Sequence, residues 1–134
     1  MLPSPSRPRP RRSRSRAERL GAEIFGRRGE TIAAWYLRLK GYRIVDMRVK
    51  TPVGEIDLVA RRLGVTVFIE VKARASAAEL GLALEAVNTR RIARAADYYV
   101  AHHPALATTS LRFDVIFLAP MTLPRHVRGA FDAS

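Results

Sequence analysis

The chain predicts an α/β sandwich in which a mixed central β-sheet is flanked by helices. Three observations carry this expectation. Leu20, Ile24, Ala33 and Leu37, with Ile32, Trp35, Tyr36 and Leu39, recur at three- and four-residue intervals, the mark of a helix with a buried stripe. Residues 42–73 then read as three short runs rich in β-branched and apolar residues, separated by turn residues. A second helical stretch and a further apolar run follow, so the order is helix, three strands, helix, strand. At 134 residues this is one domain with room for a real core.

Residues 1–16 alternate Pro, Ser and Arg, as in Pro3-Ser4-Pro5 and Arg11-Arg12-Ser13-Arg14. Such a segment buries nothing and repels itself, so a disordered arm is expected, followed by one domain over 17–134. The first helix should span Ala17–Lys40, with Gly41 in the left-handed position that closes it. Gly26 and Gly29 leave room for a break in its middle. A strand over Tyr42–Lys50 leads through Thr51-Pro52-Val53-Gly54 into two hairpin strands near 54–61 and 65–73. Residues 74–86 are small and ambiguous, with a short helix expected at Glu79–Val87. Thr89–His102 is a clearer helix, with Ile92, Ala96 and Tyr99 on one side and Arg90, Arg91 and Arg94 on another. Leu111–Leu118 is the next strand. Pro120 and Pro124 bound a connection to a final segment, His126–Phe131.

The chain has no cysteine, which removes disulfides, thiolate metal sites and thiol catalysis. Its three histidines, His102, His103 and His126, are too scattered to suggest zinc. No apolar run reaches the length of a membrane span and no signal peptide is visible, so a cytoplasmic protein without a membrane partner is expected. Net charge is +12, of which seven arginines against Glu18 in residues 1–20 supply half. The remaining domain is therefore basic without the arm, which points to a polyanion, nucleic acid first. Arginine abundance beside only three lysines is also what coding bias alone would produce.

The most informative stretch is Gly54-Glu55-Ile56-Asp57-Leu58 followed by Glu70-Val71-Lys72. A turn centred on Leu63-Gly64 pairs Leu58 with Ile69, Val59 with Phe68 and Ala60 with Val67. Continued outward, the register pairs Ile56 with Val71 on an apolar face. On the other face it sets Asp57 against Glu70 and Glu55 against Lys72. Like charges opposed on a strand pair destabilise it by tenths of a kcal/mol up to about 1. A bound divalent cation is one arrangement that resolves the conflict. A solvated hairpin face with an ordinary Glu55–Lys72 ion pair is the other. Val59 and Phe68 continue that face as apolar residues, which favours a cleft over open surface.

These residues carry a family likeness. Gly29-Glu30, Tyr36-Leu37, Gly41-Tyr42, Gly54-Glu55-Ile56-Asp57-Leu58, Val67–Arg74, Arg112-Phe113-Asp114-Val115, His126 and Ala130-Phe131 together resemble the YraN-like family of small bacterial proteins. That family looks like a branch of the restriction-endonuclease-like superfamily, similar in layout to Holliday-junction resolvases. The resemblance implies a restriction-endonuclease-like sandwich and a D…(D/E)-x-K nuclease motif. The motif residues here are Asp57, Glu70 and Lys72, with the helix carboxylate Glu30 as fourth member. It also implies Mg²⁺ or Mn²⁺ held by Asp57, Glu70, Glu30 and the Val71 carbonyl. The segment Asn88-Thr89-Arg90-Arg91 departs from the family pattern, in which many members carry a lysine or glutamine before the second helix.

Together these features lead to the expectation of a metal-dependent nuclease acting on DNA, on branched or damaged structures. Lys72 lies two residues beyond Glu70, hence on the same strand face. Beside three carboxylates its ammonium suits an electrostatic role better than that of a general base. Glu55 is a candidate to hold its ammonium. Arg74, Arg90, Arg91 and Arg94 are candidate phosphate contacts, against solvated charges as the plainer reading. Two other classes stay open: a nucleic-acid-binding module without catalysis, and a small basic ribosome-associated protein. The oligomeric state is left open, a homodimer included.

Overall fold

The computed structural model of the protein describes residues 16–75 and 88–131. The expected arm, apart from Arg16, and the expected short helix at Glu79–Val87 lie outside these residues. The chain runs α1 (Arg16–Leu39), β1 (Arg43–Thr51), β2 (Gly54–Arg62), β3 (Val65–Ala73), α2 (Thr89–Ala101), a 3₁₀ turn (Pro104–Thr108), β4 (Ser110–Leu118) and β5 (Arg125–Phe131). One five-stranded sheet has the order β1-β2-β3-β4-β5. Its pairings are antiparallel except β3–β4, which is parallel over nine consecutive pairs from Val65↔Ser110 to Ala73↔Leu118. A parallel pair needs a crossover, and α2 lies within it. The final segment, assigned no type from sequence, is an edge strand whose residues are half-buried or exposed, so it lacks the apolar run that marks its neighbours.

Helix α1 runs unbroken through Gly26 and Gly29. Gly29 is buried, and a Cβ there would meet Ala73 and Leu118 at 3.5 Å, so the small residue lets the helix lie close on β3 and β4. The helix closes as the sequence indicated. Gly41 has φ +88°, its amide donates to the Arg38 carbonyl, and the Tyr42 amide donates to Leu37, both at 3.0 Å. This is the double bond of a Schellman end, and Tyr42 packs in the same cluster as Leu37.

The core has two parts, one on each face of the sheet. Ala33, Ala34 and Leu37 of α1 pack with Leu58, Ala60, Val67, Ile69, Ile116 and Leu118. On the other face Ile92, Ala95, Ala96 and Tyr99 of α2 pack with Val59, Phe68, Phe113, Val115 and Phe117. The β3 residues alternate strictly between the two, as a pleated strand must. The hairpin turn also follows expectation: Leu63 and Gly64 have φ of 51° and 78°, and β2 pairs with β3 in the anticipated register from Arg62↔Val65 to Leu58↔Ile69. Two positive φ values in a two-residue loop suit the twist of the flanking strands.

One expectation fails. Ile56 does not share a face with Leu58 and Ala60; it belongs to the α2-side cluster with Val59 and Phe68. The alternation of β2 breaks between residues 56 and 58. Across β1, Met47↔Leu58 and Val49↔Ile56 flank the break, and Arg48 between them takes φ 52°. A left-handed residue in a strand rotates the chain locally, and side chains beyond it change face.

Candidate active site

Asp57 occupies the break in β2. Just past the last regular β2–β3 pair, Leu58↔Ile69, the Val71 amide donates to Asp57 Oδ2 at 2.8 Å, a carboxylate standing where a β2 carbonyl would otherwise accept. The side chain therefore enters the gap between two strands. Glu55, Asp57, Glu70 and Lys72 line one cleft of about 260 Å³ together with Asn88, Arg91 and Ile92 at the start of α2. The four side chains that the hairpin register set on one face thus line a common cleft, although the register itself ends at Leu58↔Ile69.

Electrostatics make Asp57 the unusual group. Burial, and then the charge of Glu70, push its carboxyl up to about 7 against the opposing Val71 hydrogen bond; the charge of Glu30 adds to the rise. A carboxylate that is costly to ionise in a cleft beside a second carboxylate is a candidate functional group. Lys72 Nζ makes an ion pair with Glu70 Oε1 at 2.9 Å, both side chains being less than a fifth exposed. The ammonium is thus held by Glu70 along its own strand face, and not by Glu55, which is exposed on the rim. Adjacent i, i+2 side chains on one strand face are within reach, while the strand divergence separates the cross-strand pair.

Glu30 reaches the site from α1. It is close enough for its charge to act on Asp57, but its Oε2 is ion-paired with Arg48 Nε. The left-handed turn at Arg48, opposite Asp57, is on the neighbouring strand. Among the described residues no three acidic or histidine side chains close on a single point. Of the four arginines expected to meet phosphate, Arg91 lines the cleft. Arg90 and Arg94 are exposed on α2 away from its lining, and Arg74 is turned back, with Nη1 donating to the Ala73 carbonyl at 2.9 Å.

Three supporting residues were not anticipated. Asn88 caps α2, its Oδ1 accepting from the Arg91 amide at 3.2 Å. Gly54 lies against Arg91: a Cβ there would sit 2.9 Å from Arg91 Cγ, at a φ of +152° that itself favours glycine. Tyr99 ties α2 to β1 through its hydroxyl, which donates to Asp46 Oδ2 at 3.2 Å; burial, then Asp46, push that phenol up to about 12. Gly54 carried a signal, since a glycine at a turn-to-strand junction invites close backbone approach. Asn88 carried one too, since an asparagine directly before a helix start is a favoured cap, and Tyr99 did not.

The donor set fits a hard divalent cation. Asp57 and Glu70 line the cleft with carboxylate oxygens of the kind such a cation takes, whereas Val71, the other expected donor, is tied to Asp57 through its amide and is not among the lining residues. No helix among the described residues is long and apolar enough to cross a membrane.

Comparison with known proteins places this architecture in a family. Residues 29–118 match the family described as "Uncharacterised protein family UPF0102". A UPF0102 protein of Rhodopseudomonas palustris (strain BisA53) is 48% identical over 117 residues, 87% of this chain and 90% of the relative. One from Bradyrhizobium diazoefficiens is 50% identical over 117 residues, 87% of this chain and 88% of the relative. One from Sphingopyxis alaskensis is 51% identical over 109 residues, 81% and 93% of the two chains. The matched span contains Glu30, Asp57, Glu70, Lys72 and Arg91, and the chain belongs to the UPF0102 family, the YraN-like family that its sequence resembled.

Proposed function

We propose that this protein is a metal-dependent nuclease that hydrolyses phosphodiester bonds in DNA, with branched or damaged DNA as the substrate class. The observation that carries the reading is Asp57: a desolvated carboxylate set against Glu70, with Lys72 beside both, in a cleft of a basic domain. Two acids and a lysine converging in a cleft are costly for stability alone, and they match what phosphodiester hydrolysis requires.

The reaction joins a water oxygen to phosphorus, breaks the bond to one sugar oxygen, and returns a proton to that leaving oxygen. Mg²⁺ or Mn²⁺, when bound, would supply charge neutralisation and water activation. Asp57, oriented by the Val71 amide, and Glu70 are the oxygen donors for it. Glu30 would contribute through water or after release from Arg48. Lys72, charged and held by Glu70, would orient the attacking water or meet the charge that grows on the phosphate. Arg91, in the first turn of α2 and lining the same cleft, would hold the scissile phosphate.

Junction, flap and single-stranded DNA incubated with the protein and Mg²⁺ or Mn²⁺ test this. Cleavage abolished by Asp57→Ala and by Lys72→Ala is the expected result. No cleavage of any substrate, or cleavage indifferent to both substitutions, rejects it. Salt-dependent binding that ignores both EDTA and Asp57→Ala would instead select a binding module, a reading favoured by the Glu30–Arg48 ion pair that already occupies one acid.

A further inference from the structure

A second charged cluster lies on the α1 side of the sheet, away from the acidic cleft, where the end of α1 meets β4 and β5. Asp114 is fully buried at its centre. Arg112 Nε and Nη2 donate to its two oxygens at 2.8 Å, His126 Nε2 to Oδ2 at 2.7 Å, and the Gly129 amide to Oδ1 at 2.9 Å. Four donors fill the acceptor capacity of one carboxylate, so Asp114 has nothing left for another cation.

The tautomer of His126 follows. Its Nε2 must carry a proton to donate to Asp114, so in the neutral ring Nδ1 is an acceptor. Lys40 Nζ, 2.7 Å from Nδ1, is then the donor. This relay, with the Tyr36 ring 5.1 Å beneath the ammonium, holds Lys40 at one place although its head is half-exposed. Arg62 lies over the Tyr42 ring at 5.4 Å. Arg128 stands on β5 two residues beyond His126 and next to Gly129, whose amide binds Asp114; burial, then the charges of Arg128 and Arg62, lower the pKa of Lys40 against the opposing charges of Tyr42 and Asp114. Among the described residues no acid makes an ion pair with Lys40, Arg62 or Arg128.

We propose that Lys40, Arg62 and Arg128 form a second, non-catalytic anion site that takes a phosphate of a nucleic-acid backbone. Two arginines gathered around a fixed lysine make three like charges that repel one another, and a phosphate is the ligand that turns the repulsion into attraction. The site lies ten residues from Glu30 along α1, about 15 Å at 1.5 Å per residue, so it engages a phosphate other than the one in the cleft. It shares with the proposed function only the chemistry of its ligand, and it needs neither metal nor hydrolysis.

The test is equilibrium binding of a fluorescent duplex oligonucleotide by the full chain in EDTA across a salt series. Arg62→Gln, Arg128→Gln and the double variant are compared with wild type, with melting curves for each. Each lost cation should weaken binding several-fold and reduce the slope of log K against log salt by about 1. Should Arg62→Gln loosen the fold, the exposed Arg128→Gln decides alone. Wild-type affinity and slope in a folded Arg128→Gln variant, or no duplex binding by wild type, overturns the site. Binding of inorganic phosphate that the double variant loses, with duplex binding unchanged, would reassign it to a free anion and reject the nucleic-acid ligand.

Discussion

The amide of Val71 is bound to the carboxylate of Asp57 and not to a carbonyl of β2, so an acidic side chain terminates the β2–β3 ladder. A buried amide must find an acceptor, and Asp57 supplies one while its other oxygen faces Glu70 and the cleft. The same bond fixes the carboxylate for ligation and opens the strands around it. Backbone satisfaction and site geometry are one feature.

Replacing Asp57 by asparagine keeps an acceptor for Val71 and removes the repulsion from Glu70. Without metal at pH 7 the variant should therefore be more stable than wild type, by about 1 kcal/mol or more, because wild type alone must ionise a buried carboxylate there. Added Mg²⁺ or Mn²⁺ should raise the melting temperature of wild type and leave that of the variant unchanged, since a ligand bound only by the native state stabilises it. Equal shifts in both proteins would remove the physical case for the site.

The pH dependence has a definite sign. With Asp57 at about 7 in the folded protein and near 3.8 when unfolded, the folded state holds the extra proton between those values. Stability should consequently fall as pH rises from about 4 to about 7. Metal must displace that proton, so the metal-induced rise in melting temperature should be larger at pH 8 than at pH 6. Denaturant titrations of wild type and Asp57→Asn check this, because the difference between them isolates Asp57. A pH-independent difference contradicts the assignment.

Asp114 has the opposite behaviour. Burial alone would raise its pKa, but the hydrogen bonds from His126, Arg112 and the Gly129 amide outweigh it and hold the group at about 2. Its contribution is present above the ordinary carboxylate range and is lost as pH falls toward 2. Asp114→Ala leaves Arg112 and His126 without their acceptor and should cost about 3–5 kcal/mol. Urea unfolding at pH 7 measures it; a loss under 1 kcal/mol would mean the network is solvated.

Two substitutions probe the backbone. Leu63 is 89% exposed with φ 51°, where a branched side chain is strained and asparagine is at ease. Leu63→Asn should stabilise the hairpin by about 1 kcal/mol. Gly54→Ala should destabilise the protein and displace Arg91, because the new Cβ meets Arg91 Cγ at 2.9 Å and the backbone at φ +152° resists it. Thermal melts report both signs, and a neutral Gly54→Ala would show that α2 is free to move away from β2.

Local chemistry was legible in the sequence. The Leu63-Gly64 turn, the closure of α1 at Gly41 and the strict alternation of β3 depend on neighbours in the chain, so they could be read directly, and they carried Glu70 and Lys72 onto one face with Val59 and Phe68. What the sequence could not determine is where that regularity stops. The kink at Arg48 arises in a strand that pairs with β2 at long range, and it is this kink that sends Ile56 to the α2 side and turns Asp57 into the gap. Likewise Lys40, Asp114 and His126 are distant in the chain and meet only because β4 and β5 pair beneath the end of α1. Hydrophobic periodicity specifies which face a residue takes while a strand stays regular. Tertiary packing decides where the strand breaks, and both charged clusters of this protein are built on residues brought together in that way.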